Sequence, residues 1–134
     1  MTVLGLDPGT RKCGYALVTD GAPPALGIVP LEELRERLAA LIAGTPVRIA
    51  AIGRGTNAAE VAAVAAGLGL DVTLVDEYAT TLRARARYFR DHPPRGWRRL
   101  IPIGMLLPER PVDDYAALLI AERFLTLPGK TEER

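Results

Sequence analysis

Residues 3–18, VLGLDPGTRKCGYALV, place one carboxylate, Asp7, inside a pattern that otherwise avoids acidic charge. Val3, Leu4 and Leu6 suit a short buried strand, Pro8-Gly9-Thr10 is turn chemistry that ends it, and a second apolar run begins at Cys13. The implied unit is a hairpin with Asp7 at the end of its first strand, where a buried charge calls for a cation or a metal. The plainer alternative is that Asp7 accepts N–H bonds from its own turn, as aspartate often does beside glycine and threonine. This stretch alone does not choose between them.

Outward from the hairpin, the chain alternates strands and helices. Ala25–Pro30 reads as a third strand after Gly21-Ala22-Pro23-Pro24, completing an antiparallel meander. Residues 31–43 align Leu31, Leu34, Leu38, Leu41 and Ile42 on one helical face, ended by Gly44. Val47–Ile52 is a strand that stops in Gly53-Arg54-Gly55-Thr56-Asn57. An alanine-rich helix then runs to about Leu68, and Val72–Val75 follows as a strand parallel to its predecessor because a helix connects the two. Residues 78–92 form a helix broken by Pro93-Pro94, residues 98–110 are irregular and proline-rich, and 112–127 form a last helix with Ala116, Leu119, Ile120 and Phe124 inward. The expected fold is therefore α/β, a mixed five-stranded sheet with three antiparallel and two parallel strands, flanked by helices. Residues 1–128 read as a single domain and 129–134 as a polar, disordered tail.

A chain of 134 residues with 49% apolar content can build a real core. Its single cysteine, Cys13, lies in a strand-like run and reads as a small buried hydrophobe rather than a catalytic thiol. With no leader pattern and no apolar run of membrane-spanning length, a soluble, unprocessed protein of a reducing cytoplasm is expected. Net charge is only +1, but it is unevenly placed. Residues 83–99 hold seven arginines against one acid, Asp91, so the remainder of the chain is net acidic. A local arginine stripe suits phosphate backbones, because the planar fork binds phosphate better than a point charge does. The plain alternative is a solvated helix face.

Three acidic positions fall at element ends. Asp7 ends the first strand, Asp76 and Glu77 follow the fifth, and Asp113 and Asp114 open the last helix. Each has an ordinary use, as a helix cap or an arginine partner. Together, at one sheet edge, they would repel one another unless divalent cations lay between them, and oxygen ligands suit Mg2+ or Mn2+.

The residues quoted so far resemble the YqgF branch of the RuvC-like, RNase H-fold nucleases. GLDPGTRKCGYALV is similar to that family's opening motif, VDEYATTLRAR to its block after strand five, and DDYAALLIAERFL to its final helix. The resemblance implies an RNase H-like sheet and places the family's metal-binding acids on Asp7, Glu77 and Asp113, with Asp113 preferred to Asp114. RuvC junction resolvases carry an acid after strand four, where this chain has Gly53-Arg54-Gly55, and a fourth acid where it has Ala116. Both departures point to the YqgF branch, which is linked with trimming the precursor of 16S ribosomal RNA and has also been proposed to resolve branched DNA. The Gly-Arg-Gly-Thr-Asn loop departs from the Gly-Leu-Pro loop of that branch.

The implied chemistry is two-metal phosphodiester hydrolysis, needing no nucleophilic side chain. Lys12, Thr56, Asn57, Arg83, Arg98 and Arg99 are the expected contacts to nucleic acid, and Trp97 and Tyr88 are candidates to stack unpaired bases, although core packing is the more common use of either. An RNA or branched DNA partner is expected, no membrane, and a possible homodimer through residues 100–108. Two rivals are an actin-like ATPase, whose second phosphate loop and second domain do not fit in 134 residues, and a nucleic-acid-binding module without activity.

Overall fold

The structure, a computed structural model, describes residues 2–19, 23–75, 80–93, 95–96, 100 and 113–126. Five strands form one sheet: β1 Thr2–Pro8, β2 Lys12–Thr19, β3 Ala25–Pro30, β4 Ile49–Gly53 and β5 Asp71–Val75. Their spatial order is β3-β2-β1-β4-β5. β1 pairs antiparallel with β2, and β2 with β3, while β4 lies parallel to both β1 and β5. A 3-10 turn at Leu31–Glu33 leads into α1, Leu34–Gly44; α2 is Ala58–Gly67, α3 Thr80–Asp91 and α4 Asp113–Thr126. This is the mixed α/β sheet that the sequence implies.

Strand alternation assigns the faces. Leu4, Leu6, Cys13, Tyr15 and Leu17 point to one side, where Leu34 and Leu38 of α1 and Val61 and Ala65 of α2 close the main core. Val3 and Ala16 point to the other side, against α4. Fully removing a leucine or valine side chain from water contributes about 1.5–3 kcal/mol, so this double-sided burial of β1 sets the register of the whole sheet.

On the α4 side, contact is made by small residues. A Cβ added to Gly5 would strike the Ala117 carbonyl oxygen and lie 2.9 Å from the Ala121 Cβ. A Cβ at Gly14 would strike the Asp113 carbonyl and lie 2.8 Å from the Asp114 nitrogen. Alanines on the helix and glycines on the strands thus bring α4 backbone to strand backbone. Outside α4 lies α3, whose Ala84, Tyr88 and Phe89 pack with Tyr115 and Leu118.

The second strand of the hairpin begins at Lys12, one residue ahead of the apolar run that starts at Cys13. β1 continues through Asp7 to Pro8, which pairs with Cys13, leaving Gly9–Arg11 as the connection. Proline is tolerated in this central strand because β4 pairs only with Val3–Leu6, so no parallel partner needs the N–H missing at Pro8. The Gly9 N–H donates to the Lys12 carbonyl at 3.0 Å, closing the turn. Among the described residues, no helix is long and apolar enough to cross a membrane. The expected tail at 129–134 and the 101–108 part of the expected dimer segment lie outside the described residues.

Candidate metal and nucleic-acid site

Asp7 sits where β1 outruns β4. The parallel pairing stops at Leu6↔Ile52, and Asp7 continues one step further, opposite Gly14 of β2. Its side chain shares the α4 face with Val3 and Gly5, and it is half-buried. Open α/β sheets form ligand crevices beyond the carboxyl ends of parallel strands, and this is such an end.

Gly14 then determines what meets Asp7. Because it has no side chain, the first turn of α4 rests its backbone on β2 at the residue paired with Asp7. Asp113 opens that helix. Its Oδ2 lies 3.8 Å from Nζ of Lys12, which is on the same face of β2, two residues before Gly14. The structure therefore brings Asp7, Asp113 and Lys12 together from two distant parts of the chain.

The charge there registers on Cys13. Burial pushes its thiol up to about 12, the negative charge of Asp7 adds to the rise, and Asp113 contributes further. The thiol itself lies in the main core, on the opposite face of β2, and donates to the Gly14 carbonyl at 3.3 Å. It is a neutral packing group, as the sequence implies. Two carboxylates brought to one strand end by the Gly14 contact favour a cation, and carboxylate oxygens are hard-cation donors. That donor set fits Mg2+ or Mn2+. Among the described residues, no group of three metal-ligating side chains converges; the third expected acid, Glu77, lies outside them, as does Asp76.

Asp113 and Asp114 are distinguished by burial. The Asp113 side chain is 33% exposed and faces Lys12, whereas Asp114 is 5% exposed and its Oδ1 accepts from the Tyr115 backbone N–H at 2.9 Å. Ala116 is buried against α3 and the sheet, so that position presents packing rather than an acid.

The expected nucleic-acid contacts separate. Thr56 is exposed at the β4–α2 connection and Arg83 is exposed on α3. Asn57 instead works within the chain: its Nδ2 donates to the carbonyls of Gly9, at 2.9 Å, and Thr10, at 3.3 Å, holding the β1–β2 turn against the start of α2. Its backbone is left-handed, φ 64° and ψ 18°, a conformation asparagine tolerates better than most residues. Arg98, Arg99 and Trp97 lie outside the described residues.

Two members of the arginine helix face α4. Arg87 forms a two-pronged pair with Glu122 of α4, at 3.0 and 3.1 Å, and that hydrogen bonding holds its guanidinium above its ordinary value. Tyr88 does not present a face for bases. It is 8% exposed, packed edge-on against Phe89 and Tyr115 and stacked on His92. Alternation of arginine with alanine and aromatics spreads successive residues around the helix, so one side of α3 must be core. Gly14 and Asn57 were the positions whose roles sequence reasoning missed. The only sequence signals were a glycine inside a strand and an asparagine ahead of a helix.

A five-stranded mixed sheet in the order β3-β2-β1-β4-β5, with helices on both faces, is an RNase H-like fold. The solved structures most similar to it include Thermus thermophilus RuvC in complex with a Holliday junction substrate, at TM-score 0.55 and 18% identity over 93% of both chains. A second structure of Thermus thermophilus RuvC aligns at TM-score 0.52 and 16% identity, over 96% of this chain and 98% of that one. At this identity the likeness establishes a RuvC-like fold. Neither the protein-family models nor the curated protein sequences give a match to the chain.

Proposed function

We propose that the protein is a metal-dependent nuclease that hydrolyses nucleic-acid phosphodiester bonds, with Asp7, Glu77 and Asp113 holding Mg2+ or Mn2+. The observation that carries this reading is the delivery of Asp113 to Asp7 by the glycine contact between α4 and β2, on a RuvC-like fold. Bound divalent cations would supply an activated water and neutralise charge on the leaving oxygen. The chain's own residues bind and orient. Asp7 and Asp113 offer carboxylate oxygens from a strand and a helix packed closely together at Gly5 and Gly14. Lys12 balances Asp113 and stands ready to take up a phosphate oxygen of the substrate. Thr56, Arg83, Arg98 and Arg99 are proposed to track the backbone without reading sequence.

For the substrate, the resemblance of the opening, Asp-Glu and final-helix motifs to the YqgF branch favours the precursor of 16S ribosomal RNA. Ala116, buried where junction resolvases carry a fourth acid, agrees with that choice. The second reading is a junction resolvase, favoured by similarity to RuvC across almost the full length of both chains. A junction resolvase acts as a two-fold dimer, for which residues 100–108 are the proposed contact. Single-turnover cleavage in Mn2+ of precursor ribosomal RNA and of a four-way DNA junction, with wild type and Asp7→Asn, tests both. RNA cleavage lost in Asp7→Asn supports the first reading, and paired symmetric cuts in the junction with intact RNA support the second. Binding without cleavage of either would leave a nucleic-acid-binding module.

A further inference from the structure

Beside the acids, the same sheet face continues into an open trough of about 710 Å³, lined in part by Arg11, Lys12, Ile28, Pro30, Leu31 and Glu32. Cross-strand register places it. Asp7 pairs with Gly14 and Gly14 with Ile28, so Asp7 and Ile28 stand on one face in one row, two strand spacings or about 10 Å apart. Lys12 pairs with Pro30 in the adjoining row. Lys12 is therefore shared: it touches Asp113 on one side and lines the trough on the other.

The trough has a rim of fixed position and mixed chemistry. Its two sides are tied by the Leu31 N–H donating to the Arg11 carbonyl at 2.9 Å. Arg11 is exposed, while Ile28 and Leu31 are half-buried with part of their apolar surface open. Among the described residues, Glu32 is the one acid of the lining, outnumbered by Arg11 and Lys12. An apolar floor edged by two cations matches an unpaired nucleotide, whose base has an apolar face and whose phosphate is an anion. The volume lies within the range of about 300–1,000 Å³ typical of small-molecule sites.

We propose that this trough holds an unpaired nucleotide of the substrate strand beside the cleaved bond, its base against Ile28, Pro30 and Leu31 and its phosphate on Arg11 and Lys12. The assignment rests on the nuclease reading and deepens it: substrates able to splay out a base next to the scissile phosphate are preferred over continuous duplex. Arg11 carries part of that preference, although it lies outside the arginine stripe.

The test uses the full chain. Binding of a short single-stranded RNA carrying 2-aminopurine is measured across a salt series in an Asp7→Asn background, which prevents cutting, and compared with a duplex of the same sequence. Arg11→Ala is expected to weaken single-strand binding about tenfold and lower the salt slope by about one. Ile28→Ala is expected to weaken single-strand binding about tenfold, leave duplex binding unchanged, and remove the penalty for an abasic nucleotide at the trough position. Unchanged affinity and slope in both variants would overturn the proposal. With Asp7 restored, the two readings part. Normal cleavage and KM in the trough variants would overturn the trough and leave the nuclease standing. Trough-dependent binding by a wild type that cuts nothing would overturn the nuclease and leave the trough as a single-strand binding site.

Discussion

Gly14→Ala is the sharpest perturbation of the site, because it adds one methyl group to the residue opposite Asp7 and alters neither carboxylate. The added Cβ meets the Asp113 carbonyl group and the Asp114 nitrogen, the latter at 2.8 Å. Ordinary carbon contacts lie near 3.5–4.0 Å, so the start of α4 must retreat by about 1 Å. The obstacle is helix backbone, held along its length by Ala117 and Ala121 against Gly5, so it cannot rotate away as a side chain would. Overpacking of this kind costs about 1–3 kcal/mol, equivalent to a loss of roughly 4–12 °C in Tm for a chain of this size. The same retreat carries Asp113 away from Asp7. A misplacement of about 1 Å at a reacting centre costs on the order of a hundredfold in rate. Thermal unfolding, Mn2+ titration by calorimetry and single-turnover cleavage are to be measured together. Weaker Mn2+ binding and slower cleavage, at a temperature where the variant is folded, are expected. Unchanged Mn2+ affinity in a folded Gly14→Ala protein would refute the claim that this contact positions the acids.

Four further outcomes follow from the contacts described. Asp113→Asn should abolish Mn2+-dependent cleavage while leaving Tm within about 2 °C, whereas Asp114→Asn, at a buried position, should lower Tm more than activity; the reverse pattern would reassign the helix acid. Asn57→Ala should destabilise by about 2 kcal/mol, combining two lost hydrogen bonds with left-handed strain, and Asn57→Gly by about half as much because glycine relieves the strain; equal losses in urea unfolding would remove the strain component. Because Arg87 and Glu122 are partly exposed, a double-mutant cycle should give a coupling of no more than about 1 kcal/mol, smaller in high salt. For Cys13, burial pushes the folded thiol up to about 12 from its ordinary value of 9.0. Below pH 9 both folded and unfolded thiols are protonated and stability does not depend on this group. As pH rises above 9 the unfolded thiolate forms first, so stability falls toward pH 12. Wild type should thus lose more stability over that window than Cys13→Ala, and a parallel loss in the two would show that Cys13 is not the source.

What the sequence determined by itself was local. Val3, Leu4 and Leu6, the turn residues after Asp7 and the apolar run from Cys13 specify the hairpin, since alternation and turn chemistry are short-range properties. Leu34 and Leu38, and Ile120 and Phe124, announce their inward faces through helical spacing in the same way. The composition of residues 83–99 was legible too, but its disposition was not. Arg87 goes to Glu122 and Tyr88 into the core because α3 packs on α4, a partner 35 residues away from Arg87 at Glu122. The acids show the same division. Sequence could mark Asp7 and Asp113 as charges at element ends and expect them at one sheet edge; how they approach, two backbones meeting across Gly14, was decided by the tertiary structure. It likewise turned Asn57 from an expected ligand contact into a brace for the β1–β2 turn. Through-space contacts between distant segments leave no period in the sequence, so burial patterns reveal which faces are covered and packing alone decides what covers them.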